Sequence, residues 1–296
     1  MRVTNSKFVR AALGVCLLQY MVACAVKAVE TGPPTLSPQR VAEIVASPDR
    51  SAADRTNDLR RKPEPMLSFI GVRPGIVALD VSAGGGYTSE LLARAIGPAG
   101  TVYGQSQPRD PNRAAPSPAA PEGASHPTTA SETGPVPPRT PPPRTSAVAL
   151  ADREHNLRNA NVAAARIVPV SQRFDDPVPP ALSIDGLDLV TLMFNYHDLG
   201  FLAVDRDKMN RAIFRALKPG GVYVIADHAG RPGTGISESG SLHRIEEAFL
   251  RGEVEAAGFK LAAEGNFLRN PADPRDQNTP NPPQPKDEFV LKFVKP

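Results

Sequence analysis

The sequence has no tryptophan, and aromatic residues make up only 5% of its 296 positions. It has two cysteines, Cys16 and Cys24, both near the start. Removing that short segment leaves no thiol. The remainder then has no disulfide framework, no thiolate nucleophile and no cysteine-held metal. Basic residues do not cluster with aromatics, so nucleic acid is not an expected partner. The formal charge of +3 falls to about zero once Arg2, Lys7 and Arg10 are set aside. Proline is in excess: 33 residues, about twice the usual share. They gather in a few stretches, which implies an ordered core interrupted by segments that cannot fold.

Arg2, Lys7 and Arg10 precede an apolar run, Ala11 to Val26, broken only by Gln19 and Tyr20. The run is short for a membrane span and reads as an export signal covering residues 1–28. Ala23-Cys24-Ala25 fits a small-residue cleavage site. Met21-Val22-Ala23-Cys24 reads alternatively as a lipid-attachment motif, with Cys24 the modified residue. The protein is therefore expected to be exported, with membrane association through its N-terminus if Cys24 carries lipid. Were the signal misread, it would be cytoplasmic.

Residues 29–61 read as a linker followed by helices. From Lys62 onward, short apolar runs alternate with helical periodicity. Strands are predicted at Ile76–Val81, Thr101–Gly104, Arg166–Val170, Gly186–Phe194, Val222–Ala226, Phe259–Glu264 and Phe289–Val294. Helices are predicted between them, with Thr88 as an N-cap and Leu242 to Ala257 as one long amphipathic helix. Alternation of this kind gives a mostly parallel sheet with helices on both faces. The last two strands lack an intervening helix and are expected to form an antiparallel hairpin. Residues 106–146, rich in Pro, Ala, Ser, Thr and Arg, bury too little to offset their ordering entropy and read as a disordered insert.

Val77 to Gly97 is the most informative stretch. An apolar strand ends at Asp80, and Ser82-Ala83-Gly84-Gly85-Gly86 leads into a helical pattern. Strand, glycine turn and helix together make a site for a nucleoside-bearing cofactor, with backbone amides open to an anion. The spacing Asp-x-Ser-x-Gly-x-Gly differs from the dinucleotide fingerprint, which counts against a nicotinamide-dependent oxidoreductase.

That spacing resembles the first motif of the class I S-adenosylmethionine-dependent methyltransferases, with Ser82 in place of its first glycine. The likeness extends over Lys62 to Lys295, omitting the insert. It includes Leu217-Lys218-Pro219-Gly220-Gly221 before a strand and Tyr196-His197-Asp198 after the fourth strand. Within that family the chain is similar to an uncharacterised bacterial group of predicted methyltransferases with an N-terminal signal. The shared segments are Ala226-Asp227-His228, LHRIEE, LRNP and the terminal FVLKF. The resemblance implies a Rossmann-like sheet of seven strands and S-adenosylmethionine as cofactor. It also implies that Asp80, Ser82, Ala83, Gly84, Gly85, Gly86 and Asn195 line the cofactor. Gln105 stands where the family carries a ribose-binding acid, followed by Ser106. Asp175, with Asp176 as rival, falls near the adenine position.

His197 and Asp198, at the edge of a central strand, are the catalytic candidates. A neutral imidazole there can take a proton from an oxygen or nitrogen nucleophile, oriented by the carboxylate. Tyr196, His228 and Arg269 are candidate substrate contacts, and His243 reads as a helix-surface residue. No metal site is expected, because the His-Asp pairs lie on different strands and no H-x-x-x-H spacing occurs. The leading expectation is a methyltransferase acting on a small molecule. The other is an exported binding protein on a degenerate scaffold, favoured by Ser82 and Gln105. The methyl acceptor and the oligomeric state are not legible.

Overall fold

A computed structural model describes Met1, residues 34–108 and 144–278, Pro280 and residues 284–296. The expected export signal, apart from Met1, and the body of the proline-rich insert lie outside these. The described residues from 34 onward belong to one compact unit, Pro33–Pro296. No described helix is long and apolar enough to cross a membrane.

Seven strands form one sheet: β1 (Val77–Val81), β2 (Thr101–Ser106), β3 (Arg166–Ser171), β4 (Leu187–Met193), β5 (Leu217–His228), β6 (Lys260–Gly265) and β7 (Glu288–Val294). Their order is β3-β2-β1-β4-β5-β7-β6. The first five run parallel, and β7 lies antiparallel between β5 and β6. The expected terminal hairpin is present. The segment Lys218–Gly221 lies inside the limits of β5. Leu187 pairs with Leu217 and Leu189 with Val222, so the four residues bulge out. Gly220, at φ 77, takes the left-handed angle that this bulge requires.

Alternation along the central strands divides the core in two. On one face, Ala78 and Leu189 pack under α4 (Tyr87–Ile96), α3 (Pro63–Ile70) and α1 (Pro38–Ala46), which contribute Leu92, Ile96, Leu67, Val41 and Ile44. On the other, Leu79, Val190 and Ile225 pack under α7 (Arg206–Ala216) and α9 (Glu247–Ala256), through Met209, Ile213, Leu250 and Val254. The helix α5 (Ser146–Asn159) resumes the chain after the insert and is capped by Thr145. Short helices α6 (Tyr196–Phe201) and α8 (Ser239–Leu242) sit beyond the carboxyl ends of β4 and β5.

Pro63 lies in the first turn of α3, where a missing N–H costs nothing. Two local expectations are corrected. Thr88 is not an N-cap, because Gly86 occupies that position at φ 79 with no side-chain cap. The helix expected from Leu242 to Ala257 is broken. His243 takes φ 51, and Arg244 turns fully inward to pair with Asp273 and the carbonyl of Ala229.

The helix α2 (Ala52–Arg61) is attached differently from the others. Its Leu59 is 81% exposed, and Asp54 is its one fully buried residue. It is held by charge: Asp54 to Arg153, Asp58 to Arg50, and Arg60 to Glu288. Asp58 also accepts from the Tyr87 hydroxyl, and the guanidiniums of Arg60 and Arg61 lie over the Phe194 ring. This helix therefore lies against the carboxyl edge of the sheet, where the loops after β1 and β4 meet.

Candidate functional site

The loop after β1 follows from its backbone. Ser82, Gly84 and Gly86 take φ values of 58, 53 and 79, a region that is costly for a residue with a Cβ. Ser82 is held there by two bonds. Its N–H donates to Gln105 Oε1 at 2.9 Å, and its hydroxyl donates to Asn195 Oδ1 at 2.7 Å. The amide of Ala83 donates to the Gln105 carbonyl, and that of Gly86 to the Ala83 carbonyl. The amides of Gly84 and Gly85 make no such bond among the described residues. Both residues are exposed, and a Cβ added at Gly85 would meet nothing within 4 Å. The N-terminus of α4, immediately after, has no side-chain cap. Open amides beside an uncapped helix start form a site for an anion such as a carboxylate.

Other loop expectations change. Asp80 does not face the crevice. It is 2% exposed, accepting from Ser89 Oγ at 2.6 Å and Thr191 Oγ1 at 2.8 Å. It ties α4 and β4 to the strand beneath the loop, and burial pushes its carboxyl up to about 6 against those hydrogen bonds. Gln105 is fully buried. Besides receiving the Ser82 amide, it donates to the Gln172 carbonyl at 2.6 Å, so its side chain braces the loop and does not reach outward. Ser106, half-buried, is the next polar side chain at the end of β2. Asp175 is paired with Arg173 and Lys208, and the Arg173 hydrogen bond holds its carboxyl below the usual range. It links the turn after β3 to α7.

The raised carboxyl of Asp80 sets a pH dependence. A folded-state value above the unfolded one stabilises the protein fully below the unfolded value, near 4. That stability is lost as pH rises through about 6. Asp80→Asn keeps polar partners for both hydroxyls without the buried charge. The wild type should lose about 3 kcal/mol relative to this variant between pH 4 and pH 7. Urea unfolding of both proteins at the two pH values measures it, and a pH-independent difference would contradict the assignment.

From Ser82 a continuous polar chain runs along the carboxyl edge. Asn195 Nδ2 donates to Asp198 Oδ2 at 2.9 Å. Asp198 Oδ1 lies 3.1 Å from His197 Nε2 and 2.9 Å from His243 Nδ1. His197 Nδ1 is 2.6 Å from Asp227 Oδ1, and its backbone N–H donates to Asp227 Oδ2 at 2.7 Å. The amide of His228 adds a third donor to Asp227. The His228 imidazole lies against His197, the rings tilted by 41°, and meets Glu288, which also pairs with Arg60. The chain thus joins the glycine loop, the ends of β4 and β5, and α2.

His197 and Asp198 come together with Asn195, and Asp227 is a second carboxylate, at the other ring nitrogen of His197. Burial works against a charge on His197, yet Asp227 and Asp198 outweigh it and raise the imidazole to about 10. Carboxylates at both ring nitrogens favour the protonated imidazole. Burial likewise opposes the charge on Asp198, but His197 and His243 hold its carboxyl below the usual range. Tyr196 is not a substrate contact. It is fully buried, donating to Glu253 and accepting from Asn210. His228 is 2% exposed. Arg269 is taken up by Glu247 and, at 3.7 Å, Asp287.

Sequence reasoning missed His243, Glu288, Arg60, Arg61 and Phe194. His243 is a cluster residue, 41% exposed, rather than a helix-surface one. The only trace of it in the sequence is Gly240 shortly before, a weak helix breaker. The inward turn of Arg244, which re-aims it, depends on Asp273 some thirty residues later. Phe194, at φ 59, and His243, at φ 51, share with Ser82 a backbone angle uncommon for residues other than glycine.

No family model and no curated protein matches the sequence. Solved structures do match. A SAM-dependent methyltransferase from Aquifex aeolicus superposes with a TM-score of 0.51 at 14% identity, covering 88% of this chain and all of that one. An arsenic(III) S-adenosylmethionine methyltransferase from Chlamydomonas reinhardtii gives 0.51 at 13% identity, covering 87% of this chain and 73% of the other. Identities this low speak to architecture, and with the strand order above they are decisive on it: the chain has the class I methyltransferase fold.

Proposed function

We propose that this protein is an S-adenosylmethionine-dependent methyltransferase acting on a small molecule. The observation that carries the reading is the loop after β1. Its exposed Gly84 and Gly85 and the uncapped start of α4 suit the amino-acid carboxylate of the cofactor. The fit is less complete at the ribose, where Gln105 is turned inward and Ser106 offers a hydroxyl in place of a carboxylate. When bound, the cofactor supplies an activated methyl group.

The chain's own contribution is to align donor and acceptor. Ser82 couples the loop to Asn195, and Asn195 fixes Asp198. Asp198 and His243 are the partly exposed members of the cluster, so they are the ones that meet the acceptor. Holding two reactants in line removes much of the entropic barrier to transfer.

The inward Gln105 and the strained Ser82 favour one other reading, a binding protein on a catalytically inactive scaffold. Calorimetric titration of the full chain with S-adenosylmethionine and S-adenosylhomocysteine separates the two. Micromolar binding of both is the expected result. Absence of binding by a folded sample would shift the assignment to the inactive scaffold. Export is proposed on the N-terminal signal, and fractionation of expressing cells tests it.

A further inference from the structure

His197, Asp198 and His243 offer three ligand atoms that all lie within 4.8 Å of one another. From this arrangement we infer that the cluster holds a divalent transition-metal ion through His197 Nε2, Asp198 Oδ1 and His243 Nδ1.

The distances support it. Two ligands about 2.1 Å from an ion stand about 3.0 Å apart at right angles and about 3.4 Å apart at tetrahedral angles. Asp198 Oδ1 is already 3.1 and 2.9 Å from the two imidazole nitrogens. One ligand atom from each of the three residues lies within 4.8 Å of the others, leaving the edge between the histidines as the one to adjust. His243 can move to do this, because its side chain is 41% exposed.

The surroundings support it as well. A ligating histidine typically donates its other ring nitrogen to a carboxylate, which fixes the ring and raises its basicity. His197 makes that bond, Nδ1 to Asp227 at 2.6 Å, and Asp227 is fixed by two backbone amides. The second oxygen of Asp198 is held by Asn195. Asp198 and Asp227 place two carboxylates beside the imidazole. Two imidazoles and one carboxylate suit zinc, manganese, iron(II) or cobalt(II), with positions left open for an exogenous ligand. His243 and Asp198 are the partly exposed ligands, so an exogenous ligand would enter from their side. An acceptor hydroxyl bound there would ionise more readily. That role rests on the methyl-transfer reading, whereas binding of the ion does not.

The test uses untagged full-length protein stripped with a chelator and titrated with cobalt(II), then zinc(II). The expected result is one equivalent of cobalt per chain, with visible ligand-field bands that zinc abolishes. His243→Ala should weaken binding by more than about 100-fold, beyond the ~10–100-fold cost of losing an outer-shell partner. Asp227→Asn should fall within that outer-shell range. His155→Ala alters an exposed histidine bonded to Asn159 and should change nothing. Circular dichroism confirms that each variant is folded. Absence of stoichiometric cobalt binding, or binding unaffected by His243→Ala, would overturn the inference. S-adenosylhomocysteine titrated into the metal-free protein reads the cofactor site separately, so the two proposals fail independently.

Discussion

Gly85→Asp should abolish cofactor binding while leaving the fold intact, the largest functional effect expected of any single substitution here. The position tolerates a side chain. It is exposed, its φ is not in the left-handed region, and a Cβ would meet nothing within 4 Å. Arg153 Nε still donates to the Gly85 carbonyl, a contact that does not involve the side chain. The new carboxylate, however, stands at the open amides of Gly84 and Gly85 and beside the start of α4. It satisfies those donors itself and repels an incoming carboxylate. Like charges brought together at an interface cost several kcal/mol. The loss should therefore exceed about 100-fold, or about 2.7 kcal/mol. Calorimetry with S-adenosylhomocysteine, paired with thermal melts, measures it. Wild-type affinity in the variant would show that the ligand's acid end lies elsewhere. Gly86 would be a poorer probe. It sits at φ 79, and a Cβ there would come within 2.7 Å of Arg153, so loss of binding would be confounded with strain.

Asp227→Ala should destabilise the protein by about 3–5 kcal/mol, the cost of breaking a buried ion pair from one side. The carboxylate is fully buried and accepts from the His197 ring, the His197 amide and the His228 amide. Its removal leaves all three donors buried without it. Asp227→Asn keeps an acceptor and loses the charge, so it should cost less. The pair also has a pH signature in the metal-free protein. The His197 imidazole is raised to about 10 from an ordinary value near 6.5. Its contribution is complete below about 6.5 and is lost as pH rises through 10. Denaturant unfolding at pH 6.5 and pH 9.5 should show the wild type losing stability relative to Asp227→Asn. A gap that does not narrow would mean that His197 is neutral in the folded state.

Much of the architecture was legible because its signals are local. The buried runs at β1, β4 and β5 are short and continuous, the glycines mark the turn, and the missing helix before β7 gives the hairpin. The loop after β1 could be read for the same reason, since backbone angles there demand glycine at Gly84 and Gly86. The direction of individual side chains was not legible. Asp80, Gln105 and Tyr196 are polar residues at the right edge of the sheet, but each is turned inward by partners distant in sequence: Thr191, Gln172 and Glu253. The break at His243 is a tertiary effect of the same kind. Charge state was hidden for a related reason. A histidine followed by an aspartate reads as a base with its orienting acid. Only the fold brings Asp227 to the other nitrogen, where it favours a charged ring.

The most direct measurement is a crystal structure of the full chain with S-adenosylhomocysteine. The account predicts the ligand's carboxylate about 3 Å from the amides of Gly84 and Gly85, its ribose beside Ser106, and its sulfur directed toward Asp198 and His243. A ligand bound elsewhere, or a carboxylate held by side chains remote from the loop after β1, would contradict it.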